Sequence, residues 1–274
     1  MLMIALLLGC GETSPDTLVD ELRVIASVAS PPEVRPGEAF EYQSYAANPE
    51  EEDLETLTWV CTNLGEGCLE AQGGGTSLHA STETGDAPDW QRSLSVAPAV
   101  QVLLSAEESL TATQVWTLVC EAGTCPIIAA VGAATGEDPW ATDWANELAD
   151  PLTWIADLPI TGVSVAYQLL TTSLSDTPHD NPTIEPADDH PNELTRGESF
   201  ELDFTVDGRF GDQAQLYAYI SGGGFMNLNT FVAAGDRVTV EGTSPESGDS
   251  VRVWMVLSDG NGGTQVWTSA FSLV

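Results

Sequence analysis

Four cysteines have spacings that suit covalent or metal chemistry. Cys61 and Cys68 are seven residues apart, and Cys120 and Cys125 are five apart. The fifth cysteine, Cys10, lies in an apolar leader described below that predicts export; the remaining even number is typical of disulfides in an exported chain, and the spacings favour the two local pairs Cys61–Cys68 and Cys120–Cys125. Structural zinc is the competing interpretation, but zinc sites typically use gaps of two to four residues. We therefore expect disulfides, with three connectivities open.

The other residues with catalytic potential fit no known motif. His79, His179 and His190 are far apart and match no zinc-binding helix pattern. The sequence has no Gly-x-Ser-x-Gly nucleophile turn and no dinucleotide-binding fingerprint. All seven basic residues are arginines, which excludes chemistry that needs a lysine ammonium. We expect no catalytic residue, no metal site and no cofactor.

Two acidic segments raise the question of calcium. The sequence DGNGG at 259–263 has some features of a calcium loop but lacks the glutamate that completes one, so a tight turn is favoured. Asp207 and Asp212 lie in a similar Gly-containing loop, where a turn is again favoured over a calcium site. The acids and histidines of 179–190 suit a weak divalent site or a solvated linker between domains, and the linker is the preferred interpretation.

The net charge restricts the partners. With 42 acidic residues against 7 arginines, the formal charge is −35. Nucleic acid and anionic lipid surfaces are bound through clusters of basic residues, which this chain lacks, so we expect no nucleic-acid partner. The hydrophobic content of 42% and eight tryptophans indicate a folded protein rather than an acidic tail.

The first ten residues, MLMIALLLGC, form an apolar run too short to span a bilayer. The end of this run, Leu7 to Cys10, resembles the lipobox of bacterial lipoproteins. That resemblance implies a signal peptide at 1–9, a lipid anchor on Cys10 and a tether at 10–19. No basic residue precedes the run, although signal peptides normally begin with one, and we expect the true start codon to lie upstream.

An internal repeat organises the rest of the chain. The sequence GEAFE at 37–41 recurs as GESFE at 197–201, and VWTLV at 115–119 recurs as VWMVL at 253–257. Between them, LTWVC at 57–61 corresponds to LYAYI at 216–220. Three matched strand-like segments in the same order indicate two homologous domains. Their predicted bounds are 20–178 and 179–274.

The second copy shows the expected architecture. The segments predicted as strands are separated by Gly-rich and Asp-rich turns, which favours an antiparallel β-sandwich. In the first strand, alternation places Phe200, Leu202, Phe204 and Val206 on one face. Trp254 and Trp267 flank the last turn, where core packing is the expected role. The predicted strands are 199–206, 214–220, 237–242, 250–258 and 264–274.

The first copy has extra sequence near 70–100 and between Cys120 and 163. In the second of these, Asp-Pro pairs at 138–139 and 150–151 predict two short helices, giving a helical insertion at 136–158. In the first helix Trp140, Trp144 and Leu148 are four residues apart and share one face, and we expect this face to pack against the first domain. If the protein holds a ligand, the space between the two insertions is the first place to look. The candidate binding surface consists of Trp90, Trp140, Trp144 and Trp154.

Strand and turn signatures in both copies, at 21–26, 31–38, 59–61, 181–184 and 253–264, resemble tandem immunoglobulin-like surface lipoproteins of myxobacteria and other deltaproteobacteria. The resemblance implies an all-β protein of two immunoglobulin-like antiparallel sandwiches and implies no catalytic residue. We therefore expect a non-enzymatic, lipid-anchored protein of the outer membrane or cell surface. Its role would be structural, adhesive or binding, with an envelope protein or glycan as partner. The alternative is a recognition or accessory subunit of an envelope enzyme or transport complex.

Overall fold

The computed structural model describes residues 17–35, 38–48, 53–62, 78–84, 90–95, 111–125, 162–172, 179–188 and 190–274. Within these residues the regular structure is β, with no α-helix, so the prediction of an all-β chain is confirmed for this part. Accordingly, these residues contain no helix long and apolar enough to cross a bilayer. The predicted signal peptide and the helical insertion at 136–158 lie outside the described residues.

The strands fall into two groups along the chain. The amino-terminal half contains β1 (Arg23–Ser30), β2 (Glu33–Val34), β3 (Ala39–Ala47), β4 (Asp53–Thr62), β5 (Leu78–Thr84), β6 (Trp90–Ser95), β7 (Thr111–Glu121) and β8 (Val163–Thr172). The carboxyl-terminal half contains β9 (Thr183–Pro186), β10 (Glu193–Leu194), β11 (Ser199–Asp207), β12 (Gln215–Ile220), β13 (Gly224–Phe225), β14 (Asn229–Phe231), β15 (Arg237–Thr243), β16 (Ser250–Ser258) and β17 (Thr264–Leu273).

The two halves share a strand order. The five-stranded sheets read β2-β8-β7-β4-β5 and β10-β17-β16-β12-β14, and in each the two-residue first strand pairs parallel to its neighbour. The other sheets read β1-β3-β6 and β13-β15-β11-β9, so β9-β11-β15 corresponds to β1-β3-β6. The three sequence repeats therefore lie at equivalent positions, in β3 and β11, β4 and β12, and β7 and β16.

The carboxyl-terminal half has a single apolar core between its two sheets. Strand β11 alternates as its sequence predicts, with Leu202, Phe204 and Val206 fully buried and Phe200 packed against them. These residues meet side chains from the facing sheet, including Met255. Period-two alternation of this kind is what a strand with one buried face requires.

The interior of the amino-terminal half combines apolar and hydroxyl side chains. Tyr42 Oη lies 2.5 Å from Thr117 Oγ1, which lies 3.0 Å from Ser44 Oγ, which in turn lies 3.1 Å from Ser27 Oγ. All four residues are buried. Burial raises the pKa of Tyr42, and hydrogen bonds to Ser27, Ser44 and Thr117 oppose part of that rise. The network links β1, β3 and β7 across the two sheets.

Strand β1 of the first half lies on the outer face of the second half's five-stranded sheet. Ile25 and Ala47 form one cluster with Trp254, Val256 and Val266. Strand β16 is therefore buried on both faces, because Met255 and its neighbours face the core while Trp254 faces the other half. Trp254 packs in a buried apolar cluster, in line with the packing role expected from the sequence, and that cluster lies between the two halves.

Residues 17–19, part of the predicted tether, also pack on the second half. The backbone N–H of Val19 donates to the carbonyl of Ile220 over 2.9 Å, and Leu18 forms an isolated parallel bridge with Ile220. The N–H of Phe225 donates to Thr17 Oγ1 over 2.9 Å. Thr17 and Val19 are buried. Residues 17–19 are therefore part of the folded structure rather than of a free tether.

Candidate functional site

His179 and Asp259 form a buried side-chain pair at one end of the contact between the two halves. Nε2 of His179 lies 2.5 Å from Oδ2 of Asp259, and the two side chains are 7% and 0% exposed. The other oxygen, Oδ1, accepts hydrogen bonds from the backbone N–H of Asn261 at 2.7 Å and of Gly263 at 2.9 Å. The carboxylate is thus enclosed by the turn between β16 and β17. A Cβ on Gly263 would overlap this carboxylate, so the position requires glycine.

Neighbouring residues bind both halves at the same place. The side-chain amide of Asn181 donates to the carbonyl of Ala29 over 2.7 Å, while its Oδ1 accepts from the N–H of Thr264 at 2.9 Å. The N–H of His179 donates to a carboxylate oxygen of Glu33 over 3.1 Å. Residues 179–181 therefore connect β1 and β2 of one half to the last hairpin of the other.

These contacts correct the prediction of a solvated linker. His179 is buried, and the ring of His190 packs against Trp267 and Phe271 with centroid separations of 5.0 and 5.6 Å. Only the acids behave as expected, since Asp180 and Asp188 are exposed. The sequence 259–263 forms a tight turn, as predicted. Within the described ranges no three His, Cys, Asp or Glu side chains are grouped so as to hold a metal ion.

Aromatic residues fill the contact between the halves. The guanidinium of Arg23 lies 5.1 Å from the ring centroid of Tyr219, a cation–π geometry. Burial raises the pKa of Tyr219, and Arg23 partly counteracts this. Trp254 is 2% exposed, and its Nε1 has no hydrogen-bond partner among the described residues. The joint is thus held mainly by apolar burial, with the polar contacts at one end.

A cleft of about 580 Å³ lies at the same end of the carboxyl-terminal half. We call it the Phe231 cleft; it is lined by residues 208–212, 214 and 231–234. Phe231, in strand β14 at the border of its sheet, is 67% exposed. The charged side chains on the lining are Arg209 and Asp212. The lining is mixed, with the aromatic side chains of Phe210 and Phe231 alongside the two charged groups.

The outer face of the four-stranded sheet is acidic. Glu201 and Glu241 are direct cross-strand partners and both are exposed, with a groove of about 440 Å³ beside them. On the same face, Asp203 accepts hydrogen bonds from Thr239 and, over 2.7 Å, from Arg237. The bond from Thr239, followed by that from Arg237, lowers the pKa of Asp203. Like charges directly opposite each other disfavour pairing, so this face has a solubilising rather than a packing role.

The structure describes few of the residues proposed from sequence for the site. Cys120 and Cys125 form a disulfide with a Cα separation of 6.1 Å. Cys61 lies in β4, and Trp90 is the first residue of β6, paired with Ser44. The remaining candidates, Cys10, Cys68, Trp140, Trp144 and Trp154, lie outside the described residues. Sequence reasoning missed the Phe231 cleft, for which the signal was a lone aromatic between turn segments.

Comparisons with known proteins identify no family for this chain. No protein-family model and no curated protein matches the chain. Among solved structures, red sea bream transglutaminase matches at 12% identity and a TM-score of 0.27, covering 93% of this chain and 32% of that one. Salmonella alpha-2-macroglobulin reacted with methylamine matches at 11% identity and a TM-score of 0.27, covering 93% of this chain and 16% of that one. Escherichia coli alpha-2-macroglobulin activated by porcine elastase matches at 10% identity and a TM-score of 0.26, covering 93% of this chain and 22% of that one. The chain thus spans less than a third of each, and scores this low assign neither family nor activity.

Proposed function

We propose that the protein is a non-enzymatic lipoprotein of the cell envelope, anchored by acyl chains on Cys10 and exposed at the outer membrane or cell surface. The sequence from Leu7 to Cys10 supports the anchor. The lack of lysine and of a recognisable catalytic motif supports a non-enzymatic role. In this proposal the protein acts structurally, adhesively or as a binding module.

We further propose that each half is an immunoglobulin-like β-sandwich, with domains at 20–178 and 179–274. The shared strand order supports this, because both halves place a short strand parallel to the last strand of the five-stranded sheet. The single core between the two sheets of the second half also supports it. The helical insertion at 136–158 would then lie between β7 and β8, in the first domain.

The observation that carries the binding role is the exposure of Phe231. Among the described residues, the large exposed hydrophobic side chains are Phe231 and the terminal Val274. An exposed aromatic on a border strand beside a cleft is a typical anchor for a protein partner or the face of a sugar ring. The partner in this proposal is an envelope protein or a glycan.

Two experiments test this function. Cells are labelled with a fatty-acid analogue, and we expect label on the wild type and none on a Cys10→Ser variant. Binding of purified protein to isolated envelopes is then compared for Phe231→Ser and the matched surface variant Val274→Ser. We expect loss only for Phe231→Ser. Equal label in Cys10→Ser contradicts the anchor, and equal binding by both surface variants contradicts the binding site.

The accessory-subunit role is the second candidate, and the same cleft favours it. A subunit of an enzyme or transport complex would copurify with a partner in fixed stoichiometry after mild detergent extraction. An adhesive or structural protein would be extracted without one. Size-exclusion chromatography with mass measurement separates the two outcomes.

A further inference from the structure

The sequence contains two Asp-Gly bonds, Asp207–Gly208 and Asp259–Gly260. Among aspartyl bonds this is the one most prone to form a succinimide, because glycine has no side chain to shield its backbone nitrogen from the aspartate carboxyl group. The two bonds share this chemistry, so any difference between them comes from the fold. In the structure their carboxyl groups have opposite surroundings.

The carboxyl group of Asp207 lies against the nitrogen with which it would react. Asp207 is the last residue of β11, and both Asp207 and Gly208 are exposed. The backbone N–H of Gly208 donates to Oδ1 of Asp207 over 2.9 Å. This contact brings together the two groups that join in a five-membered succinimide ring. Because the site is exposed, the water that opens such a ring also reaches it.

Asp259 has the same neighbour in sequence but a different geometry. Its side chain is fully buried, with Oδ2 contacting His179 and Oδ1 accepting hydrogen bonds from two backbone N–H groups of its own turn. The N–H of Gly260 donates instead to Oγ of Ser258 over 3.5 Å. The Asp259 carboxyl group therefore has to give up its buried partners before the nitrogen of Gly260 can attack it.

We infer that Asp207–Gly208 is a site of spontaneous isomerisation, at which Asp207 converts to isoaspartate, and that the fold protects Asp259–Gly260 from the same reaction. The nitrogen of Gly208 bonds to the carboxyl carbon of Asp207, while the N–H proton and the carboxyl hydroxyl leave as water. One water then opens the ring. Cleavage at the main-chain carbonyl gives isoaspartate, and cleavage of the new bond restores aspartate. The reaction needs water alone and leaves the mass unchanged.

Isomerisation at Asp207 changes one wall of the Phe231 cleft. Isoaspartate adds one methylene to the main chain between β11 and the loop 208–212, which lines the cleft. There is little room beside this bond, because a Cβ on Gly208 would already lie 3.0 Å from Cα of Pro182. The loop is joined to the turn between β16 and β17 by the N–H of Gly211, which donates to the carbonyl of Asp259 over 2.8 Å. We expect this bond to weaken in the isomerised protein.

Peptide mapping compares the two bonds in one sample. Cleavage after arginine gives peptides 197–209 and 253–274, each with one Asp-Gly bond. Purified full-length protein is incubated at mildly acidic pH and physiological temperature, then digested and analysed by liquid chromatography and mass spectrometry. Isoaspartate appears as a peptide of unchanged mass and altered retention that resists a protease specific for aspartate. Deamidation of Asn261 in the second peptide changes the mass and is thereby distinguished.

We expect isoaspartate to form about tenfold or more faster at position 207 than at position 259, because attack at 259 first requires a buried pair to open. In protein unfolded with denaturant, the two rates should become comparable. Equal rates at the two positions in the folded protein overturn the inference. So does the absence of isoaspartate at position 207 under conditions in which the unfolded protein forms it.

Asp207→Glu is the matched variant. A glutamyl side chain would have to close a six-membered ring, which is far slower, so the isomer of peptide 197–209 should disappear. Its persistence would assign the reaction to Asp203 in the same peptide and contradict the inference. Amide hydrogen exchange at Gly211 should be faster in aged wild-type protein and unchanged in aged Asp207→Glu. Unchanged exchange in isomerised wild-type protein overturns the effect on the cleft wall. Neither readout depends on the proposed anchor or binding role.

Discussion

His179 and Asp259 are 80 positions apart in sequence, yet their side chains meet at 2.5 Å at one end of the contact between the two halves, where the backbone of His179 also binds Glu33 of the first half. Asp259 also accepts two backbone hydrogen bonds from its own turn. Replacing His179 therefore leaves one oxygen of a fully buried carboxylate without its partner. Such a loss destabilises the fold, because water cannot reach the buried Asp259 carboxylate to replace the missing hydrogen bond.

We expect His179→Ala to lower the free energy of unfolding by about 3 kcal/mol. The backbone bond from His179 to Glu33 is retained, so the effect reports the side chain. Chemical denaturation measures it. The matched control is Asp180→Ala, an exposed neighbour in the same segment, which should change stability by less than about 0.5 kcal/mol. Equal effects of the two substitutions would show that the pair does not stabilise the joint.

The aromatic contact between the halves gives a second prediction. Trp254→Ala removes the largest side chain of the joint and should cost about 3–5 kcal/mol. Because Trp254 Nε1 makes no hydrogen bond to described residues, Trp254→Phe loses only part of the packing and should cost clearly less. Thermal unfolding monitored by calorimetry checks both variants. Equal losses of stability in Trp254→Ala and Trp254→Phe would indicate that the indole N–H makes a stabilising polar contact.

Much of the second half could be predicted from its sequence, and the joint could not. The alternation in β11 and the Gly-rich turns around β16 and β17 are local signals, and those strands lie where they predict. Strands β10 and β13 have two residues each, too few to show a period. The contact of Trp254 with Ile25 depends on how sheets from the two halves of the chain pack together, which no local pattern encodes.

Asp203 gives a prediction of pH dependence. Its pKa in the folded protein lies below the ordinary value of 3.8, because Thr239 and Arg237 stabilise the carboxylate. The stability it contributes is therefore present above the unfolded pKa and is lost as the pH falls through the lower folded pKa. We expect Thr239→Val to raise the pKa of Asp203, as followed by NMR titration of its carboxyl carbon. Unchanged titration in this variant would remove Thr239 as the main cause.

The hydroxyl network of the first half gives a fourth prediction. Tyr42→Phe removes the hydroxyl that contacts Thr117, Ser44 and Ser27, while Thr117 keeps its contact with Ser44, so the loss should be about 1–2 kcal/mol. A double-mutant cycle with Thr117→Val should show coupling of at least about 0.5 kcal/mol. Additive effects would mean that the two hydroxyls do not stabilise each other.

Reduction of the Cys120–Cys125 disulfide gives a fifth prediction. The loop it closes is short, so replacing both cysteines by serine should cost only about 2 kcal/mol. The bond lies at the end of β7, next to the turn whose Thr124 N–H donates to the carbonyl of Glu121. Denaturation of the double variant measures the loss. A cost much larger than this would mean that the disulfide also positions residues beyond its own turn.

The most direct test of the account is the mass of the mature amino terminus in protein extracted from membranes. We predict that the terminal peptide begins at Cys10 and carries acyl chains, with residues 1–9 removed. A terminal peptide that retains residues 1–9, or one that begins at an unmodified Cys10, would contradict the proposed anchored lipoprotein.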